Sequence, residues 1–227
     1  MATRFYFDPT NTPAISPAFD ASWEQNATAV RRKLVYKNTA SSLSALTNSA
    51  AFTIPITTTQ DCLGVQFVSD PLPAQRINES NLFTLVVGVL EGTLAANATL
   101  AVVVRVVTST GTARGALFSV YGTGLEYAVA RETRIVSASS LTALSVLSGD
   151  RLVVEVGVRA TAPSAADTFT LRLGNNAASD FALTAALTTD LNPWCEFSEN
   201  LFPSSPNNYQ NVSAGSGISV SERGGGF

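Results

Sequence analysis

Histidine is absent from all 227 residues. That excludes the Ser-His-Asp and Cys-His arrangements, histidine-based zinc sites and the usual proton shuttle at neutral pH. Cysteine is scarce, with only Cys62 and Cys195, and two separated thiols make no zinc site without carboxylate help. The pair leaves two readings, a bridge between sheets or two buried free thiols, and the second is the commoner in a chain whose start lacks a secretion signal. Charge is also short: 14% of residues are Asp, Glu, Lys or Arg, against about 25% in an average domain. With 14 Lys+Arg against 17 Asp+Glu the net charge is −3, which argues against nucleic acid as a partner. Arg31-Arg32-Lys33 is the densest basic run, and three charges in a row are more often a solvated strand or loop edge. No apolar run approaches the roughly 20 residues that a membrane-spanning helix needs, so no membrane partner is expected. The stretch from Leu82 to Leu90 is the longest candidate and is strand-sized.

What the chain does contain is alternation. In Ser148–Arg159, Gly149-Asp150 is a turn signal, because Gly accepts the positive φ that other residues resist. After it Leu152, Val154, Val156 and Val158 point one way, and Arg151, Val153, Glu155, Gly157 and Arg159 the other. The spacing predicts a strand with one buried face and one partly wet face. On the wet face Glu155 is placed to pair with Arg105 or Arg172 across the sheet. Similar patterns predict strands at Thr3–Phe7, Val30–Lys37, Phe52–Ile56 and Cys62–Ser69, while Leu82–Leu90 and Leu100–Val107, apolar on both faces but for Thr84 and Arg105, predict central strands. They continue at Gly115–Tyr121, Glu132–Val136, Leu141–Leu147, Thr168–Leu173, Asp180–Leu183 and Trp194–Ser198. Ala40–Asn48 reads as loop with a short strand as the alternative. Strands at this density, separated by Gly, Asn, Ser and Pro turns, predict an all-β antiparallel sandwich of jelly-roll-like type.

Three divisions follow. Residues 1–50 hold a first strand and an extended N-terminal arm, residues 51–202 the sandwich, and residues 203–227 a Gly/Ser/Pro-rich C-terminal tail. Asp8–Phe19 carries three prolines and should run extended over the surface. Neither this arm nor the tail is rich enough in apolar residues to hold itself, so both are expected to be mobile in an isolated subunit and at least one to order on a neighbouring chain, with docking on their own sandwich as the alternative. Phe19, Trp23, Tyr209 and Phe227 are the expected anchors to a partner, since aromatic side chains dominate such contacts.

Candidate chemistry is thin. Glu126 with Glu132, or Glu196 with Glu199, are the carboxylate pairs that a glycosidase reading would use. Asp167, Asn175, Asn176 and Asp180 offer oxygen ligands but match no calcium-loop spacing, and Asx residues in turns are more often caps. Gly122-Thr-Gly124-Leu-Glu-Tyr127 lacks the third glycine of a dinucleotide loop and reads as a turn. Trp23, Trp194 and Tyr121 would be the stacking residues of a sugar-binding face, although for each tryptophan a core or interface anchor is the commoner role. No catalytic, cofactor-binding or metal-binding residue is therefore expected.

Met1-Ala-Thr-Arg-Phe-Tyr-Phe7 followed by Ile15-Ser-Pro-Ala-Phe-Asp-Ala-Ser-Trp-Glu24 resembles the opening of a group of tailed-bacteriophage virion structural proteins. Gln66–Gln75, Ser148–Gly157 and Asp190–Ser198 are similar to segments of the same group. Together they cover nearly the whole chain to Phe202, and the tail lies outside. The resemblance implies a virion protein made in the host cytoplasm, in keeping with an opening that has no apolar signal core. It also implies a jelly-roll accessory or decoration role with no active site. The expectation is a non-enzymatic capsid cement or decoration protein, forming a homo-oligomer and binding the major capsid protein and copies of itself. A tail or baseplate component that binds tail proteins, and a carbohydrate-binding host-attachment module, are the alternatives.

Overall fold

The computed structural model describes residues 2–36, 49–54, 59–161, 167–172, 179–189 and 191–201. Its strands are β1 (Thr3–Phe7), β2 (Val30–Tyr36), β3 (Ser49–Ile54), β4 (Gln60–Ser69), β5 (Gln75–Ile77), β6 (Leu82–Glu91), β7 (Ala98–Val107), β8 (Ala113–Thr123), β9 (Glu132–Ser140), β10 (Leu144–Val146), β11 (Arg151–Ala160), β12 (Asp167–Arg172) and β13 (Trp194–Phe197). One short 3-10 turn, Leu94–Ala96, is the only helical element among the described residues. The fold is all-β, as the alternation predicts.

One sheet runs in the order β3-β12-β6-β13-β1-β2-β4-β11-β7-β8, with β9 on the other edge of β6. Among the named strand pairs only β2 with β4 is parallel. The sheet doubles back so that its two halves share a core. Phe5, Phe7, Leu85, Val87, Cys195 and Phe197 from one half pack with Val65, Phe67, Val102, Val104, Val154 and Val156 from the other. Rings meet across the gap, Phe7 on Phe67 at 4.5 Å and Phe83 on Phe118 at 5.6 Å between centroids. This is a sandwich in which the inward residues of both layers interdigitate.

The outer faces are covered as well. Phe181 and Leu191, from the segment between β12 and β13, pack on Tyr6, Val86 and Trp194 outside the first half. Residues 8–29, the connection from β1 to β2, cross the outside of the second half, where Ile15 packs on Val68, Val107 and Val153.

Several expectations change here. The division at residue 50 does not follow the sheet, because β1 and β2 stand in its middle. The arm is tethered at both ends by neighbouring strands and lies on its own chain. The outward face of β11 is dry along its centre: Val153 and Glu155 are each 0% exposed, leaving only the flanking Arg151 and Arg159 partly open. Asp180–Leu183 forms an isolated bridge, Asp180 to Asn192, and no strand. The chain beyond it turns to hydrogen-bond the edge of β9, Ala186 N–H to the Thr133 carbonyl at 2.9 Å and Thr133 N–H to the Leu187 carbonyl at 3.0 Å. Leu141–Leu147 keeps only β10, which pairs with β5, a strand too short to show alternation. Ala40–Asn48, Ile56, Leu173 and the tail fall outside the described residues.

Gly149 and Gly124 sit in turns with positive φ, at 93° and 78°, whereas Gly122, also read as a turn residue, lies inside β8 at a register slip opposite Leu100 and Ala101 with φ 73°. Asp150 closes the turn before β11 by accepting the Leu147 N–H at 2.8 Å. Both cysteines are buried and free. Burial, with Asp61 and Glu24 nearby, pushes the Cys62 thiol up to about 12, and burial also raises Cys195, so neither forms a ready thiolate.

Candidate functional site

The connection 8–29 is a strap, built in three steps from its sequence. Asp8 begins it with a local turn, accepting the N–H groups of Thr10 and Asn11 at 2.9 Å each and the Asn11 side-chain amide at 2.7 Å. Burial opposes the Asp8 charge, but these donors outweigh it and hold the carboxyl below its ordinary range. Next, the prolines keep the chain extended with a period of two: Pro13, Ile15, Pro17 and Phe19 are partly or fully buried, and Thr12, Ala14, Ser16 and Ala18 are exposed. Finally, the Glu24 and Gln25 N–H groups donate to the Asp61 carbonyl at 3.0 and 3.1 Å, and the Leu63 N–H donates to the Gln25 carbonyl at 2.7 Å. The strap thus ends by pairing briefly with β4.

The basic run of β2 grips the strap. Arg32 donates to the Pro9 carbonyl at 2.7 Å, and Arg31 donates to the Pro17 carbonyl at 3.2 Å and to Gln66 at 3.1 Å. The Arg31 guanidinium lies over the Phe19 ring, 4.0 Å from its centroid. Arg31 and Arg32 therefore hold their own chain, and Lys33 pairs with Asp70 at 3.3 Å.

At the centre sits Glu155. Its carboxylate accepts the Trp23 indole N–H at 2.7 Å, the Gln66 amide at 2.8 Å, an Arg105 N–H at 2.9 Å and the Asp20 backbone N–H at 3.2 Å. Gln66 is its register partner on β4, and Arg105 on β7 stands opposite Val153, one diagonal step away. Arg105 and Gln66 both donate onward to the Ala18 carbonyl. Trp23 is 3% exposed and packs on Leu63, Ala101 and Val103, with Tyr121 edge-on at 5.7 Å. A buried ion pair loses much to desolvation and survives only where its remaining lone pairs are satisfied. Here the strap supplies two of the donors, so closing the strap and burying the charge are one event.

Of the expected partner anchors, Trp23 is turned into this chain's own core, because its indole N–H is needed by Glu155. Phe19 is partly buried beneath Arg31. Tyr209 and Phe227 lie outside the described residues. The predicted pairing of Glu155 is with Arg105, and it is buried where a wet face was expected. The covering strap went unread, although three polar side chains of like parity on adjacent apolar strands, Gln66, Arg105 and Glu155, are a signal of it.

The opposite outer face carries a second cluster. Arg4 lies over the Trp194 ring at 3.8 Å and pairs with Glu196 at 2.9 Å and Asp180 at 3.1 Å, while the Tyr6 hydroxyl donates to Asp180 at 2.6 Å. Trp194 is 4% exposed, and its N–H donates to the Phe181 carbonyl at 2.8 Å. Neither tryptophan presents an open face to a sugar ring. Of the carboxylates read as candidates, Glu132 pairs with Arg134 at 3.0 Å, Glu196 pairs with Arg4 and Asp167 accepts the Thr93 N–H at 2.8 Å, while Glu126 is exposed. Among the described residues no group of three or more Cys, Asp or Glu is placed to hold a metal ion.

No protein-family model matches the chain, and no curated protein does. A chain in a solved structure of infectious bursal disease virus, Gx strain, is similar at 10% identity over 76% of this chain and 49% of that one, with a TM-score of 0.28. This chain thus spans about half the length of the viral one, and at that score the likeness carries no argument.

Proposed function

We propose that this chain is a non-enzymatic bacteriophage virion structural protein, a capsid cement or decoration protein that binds neighbouring major capsid subunits and copies of itself. The observation that carries the reading is where the resembling segments meet. Ile15–Glu24 supplies Asp20 and Trp23, Gln66–Gln75 supplies Gln66, and Ser148–Gly157 supplies Glu155, all within hydrogen-bonding distance of one carboxylate. The phage resemblance therefore falls on the residues that lock the strap over the sheet, which supports a scaffold role. Phe181 and Leu191 cover part of one outer face and the strap part of the other, so on this reading the contacts to neighbours come from strand edges, loop ends and the Gly/Ser/Pro-rich sequence 203–227. Such contacts suit repeated, symmetric clamping of like subunits.

Microscopy of the intact particle tests this. Hundreds of copies on the shell, each bridging adjacent capsid subunits, are expected. A dozen copies or fewer, confined to the tail or baseplate, would overturn the capsid assignment and leave the tail reading.

A further inference from the structure

β6 ends on Glu91, whose side chain is 1% exposed. The main chain around it is tied to three other pieces. The Glu91 N–H donates to the Ala128 carbonyl at 3.0 Å, the Gly92 N–H to the Thr168 carbonyl at 2.9 Å and the Tyr127 N–H to the Ala98 carbonyl at 2.7 Å. The β6–β7 connection, the β8–β9 connection and the start of β12 thus converge on one carboxyl. Neither of its oxygens completes a hydrogen bond of ordinary geometry, the Ala98 N–H being only loosely directed at it. A buried carboxylate left in that state is far more costly than the neutral carboxylic acid, which pays only the smaller penalty of an unpartnered polar group.

The charges facing Glu91 make ionisation harder. Glu126 comes from the β8–β9 connection, Asp167 from β12 and Arg134 from β9. Arg134 is already committed, to the Leu125 carbonyl at 2.9 Å, the Glu126 and Thr133 carbonyls and the Glu132 carboxylate. The Tyr127 ring is buried with it. Residues 55–58 and 162–166, in the β3–β4 and β11–β12 connections, contain no ionisable side chain. Burial first, then Glu126 and Asp167, push the Glu91 carboxyl up to about 7.

We propose that Glu91 is a proton-operated latch: uncharged, it holds the β6–β7 and β8–β9 connections closed over this end of the sandwich, and ionised, it lets them open. The two connections carry Leu94, Leu125 and Val129, each more than half exposed, so opening rearranges an apolar surface. The sign follows from the raised value. Closure is strongest below the ordinary carboxyl range, weakens as the pH climbs from there to about 7, and loses nothing further above it. This latch is independent of the virion reading.

Amide hydrogen exchange on the full chain, corrected for the intrinsic pH dependence of exchange, tests it at Glu91, Gly92 and Tyr127. Between pH 5 and pH 8 opening at these amides should rise by on the order of tenfold to a hundredfold, while the amides of β11 stay unchanged. Glu91→Gln should remain protected at both values, and Glu126→Gln, changed at an exposed position, should show a smaller rise. No rise in the wild type, or an equal rise in Glu91→Gln, would overturn the latch. If Glu91→Gln does not fold, an undiminished rise in Glu126→Gln overturns it.

Discussion

A carboxylate at 0% exposure in the middle of a sheet is tolerated only because its charge is fully answered, and Glu155 shows how narrow that tolerance is. Glu155→Ala leaves Arg105 buried at 5% exposure with the Ala18 carbonyl as its remaining close acceptor. That substitution should cost about 3–5 kcal/mol in denaturant unfolding and expose residues 8–29 to limited proteolysis. Trp23→Phe keeps the ring but removes one donor, and should cost about 1–3 kcal/mol. If Glu155→Ala unfolds at the wild-type denaturant concentration, the carboxylate does not organise the strap. At this scale the sequence is legible in part. Alternation places Glu155 on the outward face and offers Arg105 or Arg172 as its partner. Its burial is not legible, because the cover comes from Trp23, 132 residues away in the chain. Local patterns carry no information about that distance.

Among the elements, β11 is the most constrained. It pairs with β4 and β7 along nearly its whole length, its inward valines enter the sandwich core, and the strap closes its other side. Val156 is 1% exposed between Val65 and Val102. Val156→Asp therefore buries a charge with no partner and should abolish folding, seen as loss of the cooperative thermal transition. A Val156→Asp chain that melts at the wild-type temperature would refute the inward orientation. Gly157 limits the same strand differently. The register slips between Val156 and Gly157, and a Cβ at Gly157 would overlap the Cys62 carbonyl. The long strands are legible because ten residues carry enough alternation, in β11, or enough two-faced apolar character, in β6 and β7, to outweigh local noise. β5 and β10 are not, since three residues show no period. The strap is half legible: its prolines specify an extended course, and only the tertiary partners of Ile15, Pro17 and Phe19 show that it docks on its own chain.

For the molecule as a whole, the contrast is between the strap and residues 203–227. The strap was expected to need a neighbour, yet Trp23, Ile15 and the arginines of β2 hold it within one subunit. The C-terminal side is secured as far as Leu201, which is 1% exposed and donates its N–H to the Thr3 hydroxyl at 2.7 Å. Beyond Phe202 the composition turns to Pro, Ser, Asn and Gly, with Tyr209 and Phe227 as its aromatic residues. Ordering such a segment costs roughly 1–2 kcal/mol per residue in backbone entropy, and its composition is the ground for the proposal that contacts with a partner offset that cost. Deleting Ser204–Phe227 spares Leu201 and should leave the thermal transition of the free subunit within about 1–2 °C of the full chain. If the proposed capsid role holds, the same deletion should weaken attachment to capsids by at least about tenfold, equivalent to about 1.4 kcal/mol, in a co-sedimentation titration. Deleting the strap should do the reverse and destabilise the subunit itself. A tail deletion that unfolds the free subunit would place residues 204–227 in its own packing, and one that attaches as tightly as the full chain would move the binding energy to the sandwich edges and loop ends.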